Sequence, residues 1–177
     1  MAIASIQDRI ALVTGAGSGI GKAIAEFFSK EGATVVATDL NKDSLAWTEG
    51  HQSPGKVYAL RHDVTEANDW AHALAFAGDL GGLHILVNNA GIMLDTPFAE
   101  APIEDLRLQY KINVEGPYVG TQMAIPLLTK AFASSGVTSS VINISSIFGQ
   151  VAGDRYAAYC ACKGAGLTLT RAIAVEL

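Results

Sequence analysis

The sequence predicts an α/β fold in which a doubly wound parallel sheet carries helices on both faces. Three observations lead there. Short apolar runs alternate along the chain with longer amphipathic segments. Several runs are continuously apolar rather than alternating, the pattern of strands covered on both faces. The first run ends in a cluster of glycines that opens directly into an amphipathic segment. Right-handed crossovers and the usual doubly wound order give five strands arranged 3-2-1-4-5. Ligands are expected at the carboxyl ends of the strands, where the order switches between strands 1 and 4.

Taken in order, residues 9–15 (RIALVTG) form the first strand and 19–31 the helix after it. The second strand, 33–40 (ATVVATDL), leads into a helix-like stretch at 42–50. The third, 56–63 (KVYALRHD), precedes a helix over about 66–79. The fourth, 83–91 (LHILVNNAG), precedes a long helical segment over 102–133. Pro117 and Pro126 fall inside that segment and are expected to kink or interrupt it, because proline has no N–H and crowds the preceding turn. The fifth strand, 139–146 (SSVINISS), leads to a helix over 154–176. No repeat, low-complexity tract or linker divides the chain, so residues 1–177 read as one domain.

Composition narrows the function classes. With 50% hydrophobic residues, 177 residues suffice for one well-buried core. Twelve Lys+Arg against 17 Asp+Glu, with no basic block, give no electrostatic reason to bind nucleic acid or an anionic membrane. No apolar run reaches the roughly 18 residues of a membrane span. The start, MAIASIQDRI, lacks the cationic and apolar regions of a secretory signal. Two cysteines one residue apart cannot staple a domain, so a reducing compartment, the cytoplasm, is the expectation.

Three readings compete at YCACK (159–163): a thiol site, a metal site, or a tyrosine four residues ahead of a lysine. Cys160 and Cys162 form C-x-C, which on a helix points the two thiols about 200° apart. His51, His62, His72 and His84 show no pair at ligand spacing, so no metal is expected. Tyr159 and Lys163, at i and i+4, share one helix face. A free tyrosine ionises near about 10, and a neighbouring ammonium favours the phenolate. Bringing such a phenol near pH 7 requires about 3 units, roughly 4 kcal/mol.

After strand 1, TGAGSGIG (14–21) fails the G-x-G-x-x-G test at every register but fits G-x-x-x-G-x-G through Gly15, Gly19 and Gly21. One glycine permits the tight turn, one lets the backbone approach a pyrophosphate, and one allows close helix–strand packing. A plain connecting turn is the alternative. Asp39 ends strand 2, where a carboxylate can accept both adenosine ribose hydroxyls and repel a 2′-phosphate, or merely cap or face solvent. Ala16, Ser18 and Leu40 offer no cation to such a phosphate, which favours NAD(H) over NADP(H); Lys42 leaves a small opening.

With TGAGSGIG, NNAG (88–91), INISS (142–146) and YCACK in order, the chain resembles the short-chain dehydrogenase/reductase family, from strand 1 to its last residue. The resemblance implies a Rossmann fold and a catalytic tetrad of Asn113, Ser146, Tyr159 and Lys163. Ser146 is preferred to Ser145 because it stands thirteen residues before Tyr159, the family's usual separation. The tyrosine would exchange a proton with the substrate oxygen, the serine hold that oxygen, and the lysine bind the nicotinamide ribose. The asparagine would support a water leading from the lysine, though Asn113 also reads as a helix-breaking residue. The implied cofactor site is Gly15, Ser18, Gly19, Ile20, Gly21, Asp39, Asp63, Val64, Asn89, Ala90 and Gly91, together with Tyr159 and Lys163. Asp63 and the Val64 backbone would border the adenine, unless Asp63 caps the next helix; Asn88 would tie strands together. Met93 and Leu94 are packing residues or the edge of a substrate pocket.

The expected activity is NAD(H)-dependent interconversion of a secondary alcohol and a ketone. The alternatives are an NADPH-dependent 3-oxoacyl-thioester reductase, which Asp39 opposes, and a non-catalytic dinucleotide-binding protein. The chain stops at RAIAVEL, whereas family members continue with two more strands and a loop closing over nicotinamide and substrate. The expectation is therefore a fragment lacking the C-terminal strands, with strand 5 an exposed edge. The family's dimer contact uses the last two long helices, so a homodimer or homotetramer is expected.

Overall fold

The structure, a computed structural model, describes residues 5–177. Five strands, β1 Ile10–Thr14, β2 Thr34–Asp39, β3 Val57–Arg61, β4 Ile85–Asn88 and β5 Ser140–Asn143, form one sheet in the order β3-β2-β1-β4-β5. Every pairing is parallel, with Leu12 opposite Val36 on one side and Leu86 on the other. This is the expected doubly wound arrangement. The helices are α1 Gly19–Lys30, α2 Ala67–Asp79, α3 Ile103–Tyr110, α4 Gly116–Ser135 and α5 Ala157–Glu176.

The unbroken apolar character of β1 follows from two cores. Leu12 and Val36 face one core with Trp70, Leu74, Leu83, Leu86 and Leu128. Their neighbours Ala11, Val13, Val35 and Ala37 face the other with Ala25, Leu45, Ile85 and Val87. Successive strand residues point to opposite faces, so a strand covered on both must be apolar throughout. The edge strand β5 is only half covered, and Ile142 is 39% exposed. Trp70 is the keystone of the first core: its indole N–H donates to the Val64 carbonyl at 2.9 Å. Its ring lies where Gly120 has no side chain; a Cβ there would stand 2.2 Å from Cη2.

Three segments differ from the sequence reading. Residues 42–50 form a 3₁₀ turn, Lys42–Thr48, rather than an ordinary helix. Asn41 caps Asp43, Ser44 and Thr48 donate their hydroxyls to carbonyls three residues back, and the Trp47 indole N–H holds the Ala16 carbonyl at 3.0 Å. These local bonds favour the tighter winding. The long segment over 102–133 breaks before Pro117, at a π-helical turn, Lys111–Glu115, where the Gly116 N–H reaches five residues back to the Lys111 carbonyl. Pro117 then sits in the first turn of α4, where its missing N–H costs little, and α4 runs past Pro126 to Ser135. Helix α5 starts at Ala157 rather than 154 because Arg155 adopts a left-handed φ of 69°.

His62, at the end of β3, is 2% exposed and packs edge-on against Trp70 at 4.4 Å. Nδ1 shares a hydrogen bond with the Thr38 hydroxyl at 3.1 Å, while Nε2 has no partner. Burial pushes its pKa down to about 4 against the opposing pull of Asp69 and Asp63. The unfolded chain therefore binds this proton more readily, and stability is full above pH 6.5 and lost as pH falls toward 4. Urea unfolding at pH 7 and pH 4.5 is expected to show about 2–3 kcal/mol of acid loss that is absent in His62→Gln. Equal acid sensitivity in the two proteins would contradict this assignment. Gly120→Ala is expected to cost about 1–3 kcal/mol at either pH, through overpacking against Trp70.

Candidate active site

The glycine turn follows β1 at its carboxyl end. Gly15 and Gly19 take left-handed φ values of 64° and 53°. A Cβ at Gly21 would lie 2.2 Å from the Gly15 carbonyl oxygen, so close helix–turn packing excludes any side chain there. At Gly19 nothing lies within 4 Å of a Cβ position. Ser18 opens α1 without a side-chain cap, leaving the first-turn N–H groups without a capping side chain; Ser18, Gly19 and Ile20 are all exposed. Uncapped N–H groups at a helix start, beside an unobstructed glycine, form a cradle suited to an anionic phosphate. The nicotinamide dinucleotide implied by the sequence pattern thus fits this end of the sheet.

At the end of β2, Asp39 is fixed by two backbone donors. The Gly17 N–H meets Oδ2 and the Asn41 N–H meets Oδ1, each at 3.0 Å. Each oxygen retains a lone pair for a further donor. Gly17 is the glycine the motif left unexplained. A Cβ there would stand 1.9 Å from the Ser44 Oγ and 2.8 Å from the Asp39 Oδ2, so the 3₁₀ turn can close on the glycine loop only over a bare backbone.

The Asp63 carboxylate is engaged locally: Oδ1 accepts from the Thr65 backbone N–H and hydroxyl at 2.9 and 2.7 Å. Those bonds and nearby Arg61 and Lys111 hold its pKa below the usual value, against desolvation, which acts in the opposite sense and is the largest single influence. Val64 is buried against Trp70 and Gly116. Asn89 spends its side-chain amide on the Thr14 and Gly15 carbonyls at 2.9 and 3.1 Å, fastening the glycine turn to the end of β4. Asn88 does tie strands, donating to the Asn143 Oδ1 at 2.8 Å and to the Thr121 hydroxyl at 3.1 Å.

Thr14 escaped the sequence reading. Its hydroxyl oxygen accepts from the Asn89 and Ala90 N–H groups, both at 3.0 Å, and donates to the Val87 carbonyl. A polar β-branched residue ending an apolar strand was the available signal. Thr14→Val strands two amide donors and is expected to cost about 1–3 kcal/mol of stability in a denaturant titration; a neutral result would contradict the role of this hub.

The second half of the site lies beyond β4 and β5. Asn113, in the π-helical turn and 5% exposed, grips Ile92 with both ends of its amide. Nδ2 donates to the Ile92 carbonyl at 2.8 Å, and Oδ1 accepts the Ile92 N–H at 3.0 Å. Gly91 lies between Asn113 and Lys163: a Cβ on it would meet the Asn113 Oδ1 at 2.6 Å and the Lys163 Nζ at 3.7 Å. Lys163 is 8% exposed and donates to the Ile144 carbonyl at 2.8 Å. Burial lowers its pKa. Its ammonium stands 5.6 Å from the centroid of the Tyr159 ring.

The two serines separate cleanly. The Ser146 Oγ accepts the Phe148 N–H at 3.2 Å, which leaves its own proton for an external oxygen. The Ser145 Oγ is buried without a partner. Cys162 is fully buried and its thiol is pushed up by that burial, the reverse of an activated nucleophile. The structure thus brings Asn113, Gly91, Lys163 and Tyr159 together, with the turn that begins at Ser146 packed on α5; the glycine turn and Asp39 occupy the other side of the switch between β1 and β4.

Comparison with known proteins agrees with the fold. A family model for short chain dehydrogenases matches residues 9–177. A 2,5-dichloro-2,5-cyclohexadiene-1,4-diol dehydrogenase of Sphingobium indicum is 39% identical over 174 residues, covering 97% of this chain and 68% of the relative. A cyclopentanol dehydrogenase of Comamonas testosteroni is 35% identical, with 97% of this chain and 68% of the relative covered. A 3-beta-hydroxysteroid dehydrogenase of the same species is 36% identical, with 97% and 65% covered. Among solved structures, a short-chain type dehydrogenase/reductase from Mycobacterium marinum superposes with a TM-score of 0.87 at 30% identity, over 98% of this chain and 70% of that one.

Proposed function

The chain belongs to the short chain dehydrogenase family of oxidoreductases that use a nicotinamide dinucleotide, and on that premise we propose that it transfers hydride between NAD(H) and the carbinol carbon of a cyclic secondary alcohol or its ketone. The observation that carries this reading is the buried Lys163 ammonium, locked to the Ile144 carbonyl and held over Tyr159 beside the turn that Ser146 begins. The three relatives named above carry names that specify ring-borne hydroxyls, which supports a cyclic substrate for this protein. Ile147, 70% exposed, and Val151, 51% exposed, line the turn with apolar surface of the kind an alicyclic ring would cover.

When bound, the cofactor accepts or supplies the hydride; the chain's own residues orient the partners and manage the proton. Tyr159 exchanges that proton with the substrate oxygen, as general base in oxidation and general acid in reduction. Ser146 donates its free proton to the same oxygen. Lys163 uses one N–H on Ile144 and has two left for the nicotinamide ribose and a water. The Asn113 side chain is committed to Ile92, so its support for that water falls to its carbonyl. Pro117 has no N–H to bond that carbonyl from the i+4 position.

Gly15, Ser18, Gly19, Ile20 and Gly21 hold the pyrophosphate. Asp39 takes the adenosine ribose, with Asp63 and Val64 beside the adenine and Asn89, Ala90 and Gly91 along the nicotinamide side. NAD(H) is preferred because among the described residues no cation pairs with the Asp39 carboxylate: Lys22 lies over the Trp47 ring at 5.7 Å and pairs with Glu26. Residues 1–177 act as one dinucleotide-binding unit that works in the cytoplasm. It associates with a second copy through the face carrying Tyr110, Tyr118 and Leu169. Among the described residues no helix is long and apolar enough to cross a membrane.

Tyr159→Phe is expected to lower hydride transfer from a cyclic alcohol by roughly 10²–10⁴-fold while NADH binding persists. A rate that survives the substitution refutes the acid–base assignment. Asp39→Ala is expected to narrow the ratio of NADPH to NADH dissociation constants, read by cofactor fluorescence; an unchanged ratio refutes the ribose assignment.

A further inference from the structure

The 3₁₀ turn Ile147–Gly149 does more than follow Ser146. Phe148, at its centre, packs into neither of the two cores of the sheet. Its ring instead meets Tyr159 edge-on, with centroids 6.3 Å apart and planes at 87°, and stacks on Tyr156 at 5.4 Å and 25°. The far tip of the ring rests on Gly153. A Cβ at that position would stand 2.7 Å from Cζ and 2.9 Å from Cε1, inside the limit of real carbon contacts. Tyr156 and its neighbour Arg155 are themselves anchored. Arg155 pairs with Asp95, its carbonyl accepts the Thr96 N–H at 3.1 Å, and the Tyr156 hydroxyl points to the other Asp95 oxygen. The backbone of Phe148 is fixed from the opposite direction, through its N–H to the Ser146 Oγ at 3.2 Å.

We propose that Phe148 is a positioning residue, an aromatic brace that sets the Tyr159 ring relative to the Ser146 hydroxyl, with Gly153 as its required seat. The argument is geometric. Tyr159 has the Lys163 ammonium 5.6 Å from its ring centroid and the Phe148 ring as an edge-on neighbour. Ser146 and Phe148 belong to the same capped turn, so the residue that bonds to the serine oxygen also bears on the tyrosine ring. One rigid turn thereby fixes the separation of the two hydroxyls that must reach a single substrate oxygen. Edge-to-face aromatic pairs have a preferred geometry, which a flexible aliphatic contact lacks. Misplacement of a catalytic group by about an ångström is costly in rate. The proposal rests on Tyr159 being the acid–base residue of the reading above.

The test uses protein labelled with 3-fluorotyrosine, with the Tyr159 fluorine resonance identified by its loss in Tyr159→Phe. Phe148→Leu is expected to move that resonance and lower kcat by about tenfold, with the NADH dissociation constant within about twofold of wild type. Gly153→Ala, which keeps the phenylalanine but removes its seat, is expected to reproduce both changes. The double variant is then no worse than Phe148→Leu alone, because the three atoms nearest the added methyl all belong to the removed ring. An unmoved Tyr159 resonance in Phe148→Leu overturns the proposal, as does a moved resonance with unchanged kcat. Losses that multiply in the double variant overturn it as well. The fluorine spectra decide the contact without any turnover. A wild-type protein that binds NADH yet transfers no hydride would sink the proposed function and leave the spectral result to stand for the brace.

Discussion

The structure turns on one interaction, the seating of the Lys163 ammonium against the Ile144 carbonyl. The ammonium of a lysine that is 8% exposed needs hydrogen-bond partners to offset its lost hydration. Ile144 can supply one because β5 ends at Asn143: its N–H still bonds to the Asn88 carbonyl, but its own carbonyl lies past the last paired residue and turns to the lysine. The sheet's carboxyl edge thus provides the acceptor, and α5 delivers the donor. Because Tyr159 stands one turn earlier on the same helix, fixing the lysine fixes the height and rotation of the phenol.

Around that bond, loops that would otherwise wander are tied to one another. Asn113 holds Ile92 from both sides, which places Gly91 beside the lysine. Thr14 and Asn89 fasten the glycine turn to the end of β4. Trp47 and Asp39 hold the same turn from its other flank. Each tie joins backbone groups that no strand or helix satisfies. The same bonds therefore meet the demand for buried polar pairing and organise a site in advance of its ligand. The site is built at the switch between β1 and β4 because only there do neighbouring loops diverge to opposite faces and leave a crevice.

Much of this was legible in the sequence because it depends on periodicity and on glycine. Continuously apolar β1 and β2 announced a doubly covered sheet, and the strand order followed from crossover handedness. Gly15, Gly19 and Gly21 were readable because their roles need backbone that no other residue supplies. The shared helix face of Tyr159 and Lys163 was readable through their spacing, while the choice of Ser146 came from the family resemblance. What stayed hidden depends on contacts between segments distant in sequence. The need for glycine at 17 and 120 shows only against Ser44 and Trp70, which close over them. The π-helical turn escaped because its signal is a side chain reaching from Asn113 to Ile92, not a local preference. Of the two prolines in that region, Pro117 does follow an interruption, the π-helical turn, whereas Pro126 is absorbed within α4. Asn89 was read as lining the cofactor; that its amide also fastens the glycine turn to the end of β4 was not foreseen.

The most direct test of this account replaces Lys163 by a side chain of similar length without charge. In Lys163→Met, the thermal midpoint is expected to shift by only a few degrees, since removing the desolvation cost of the buried cation offsets leaving the Ile144 carbonyl without its donor. Hydride transfer, in contrast, is expected to fall by at least about a hundredfold. A variant that turns over at the wild-type rate would contradict the account. So would one that unfolds early while the surviving folded protein keeps its activity, for the lysine would then be a structural anchor alone.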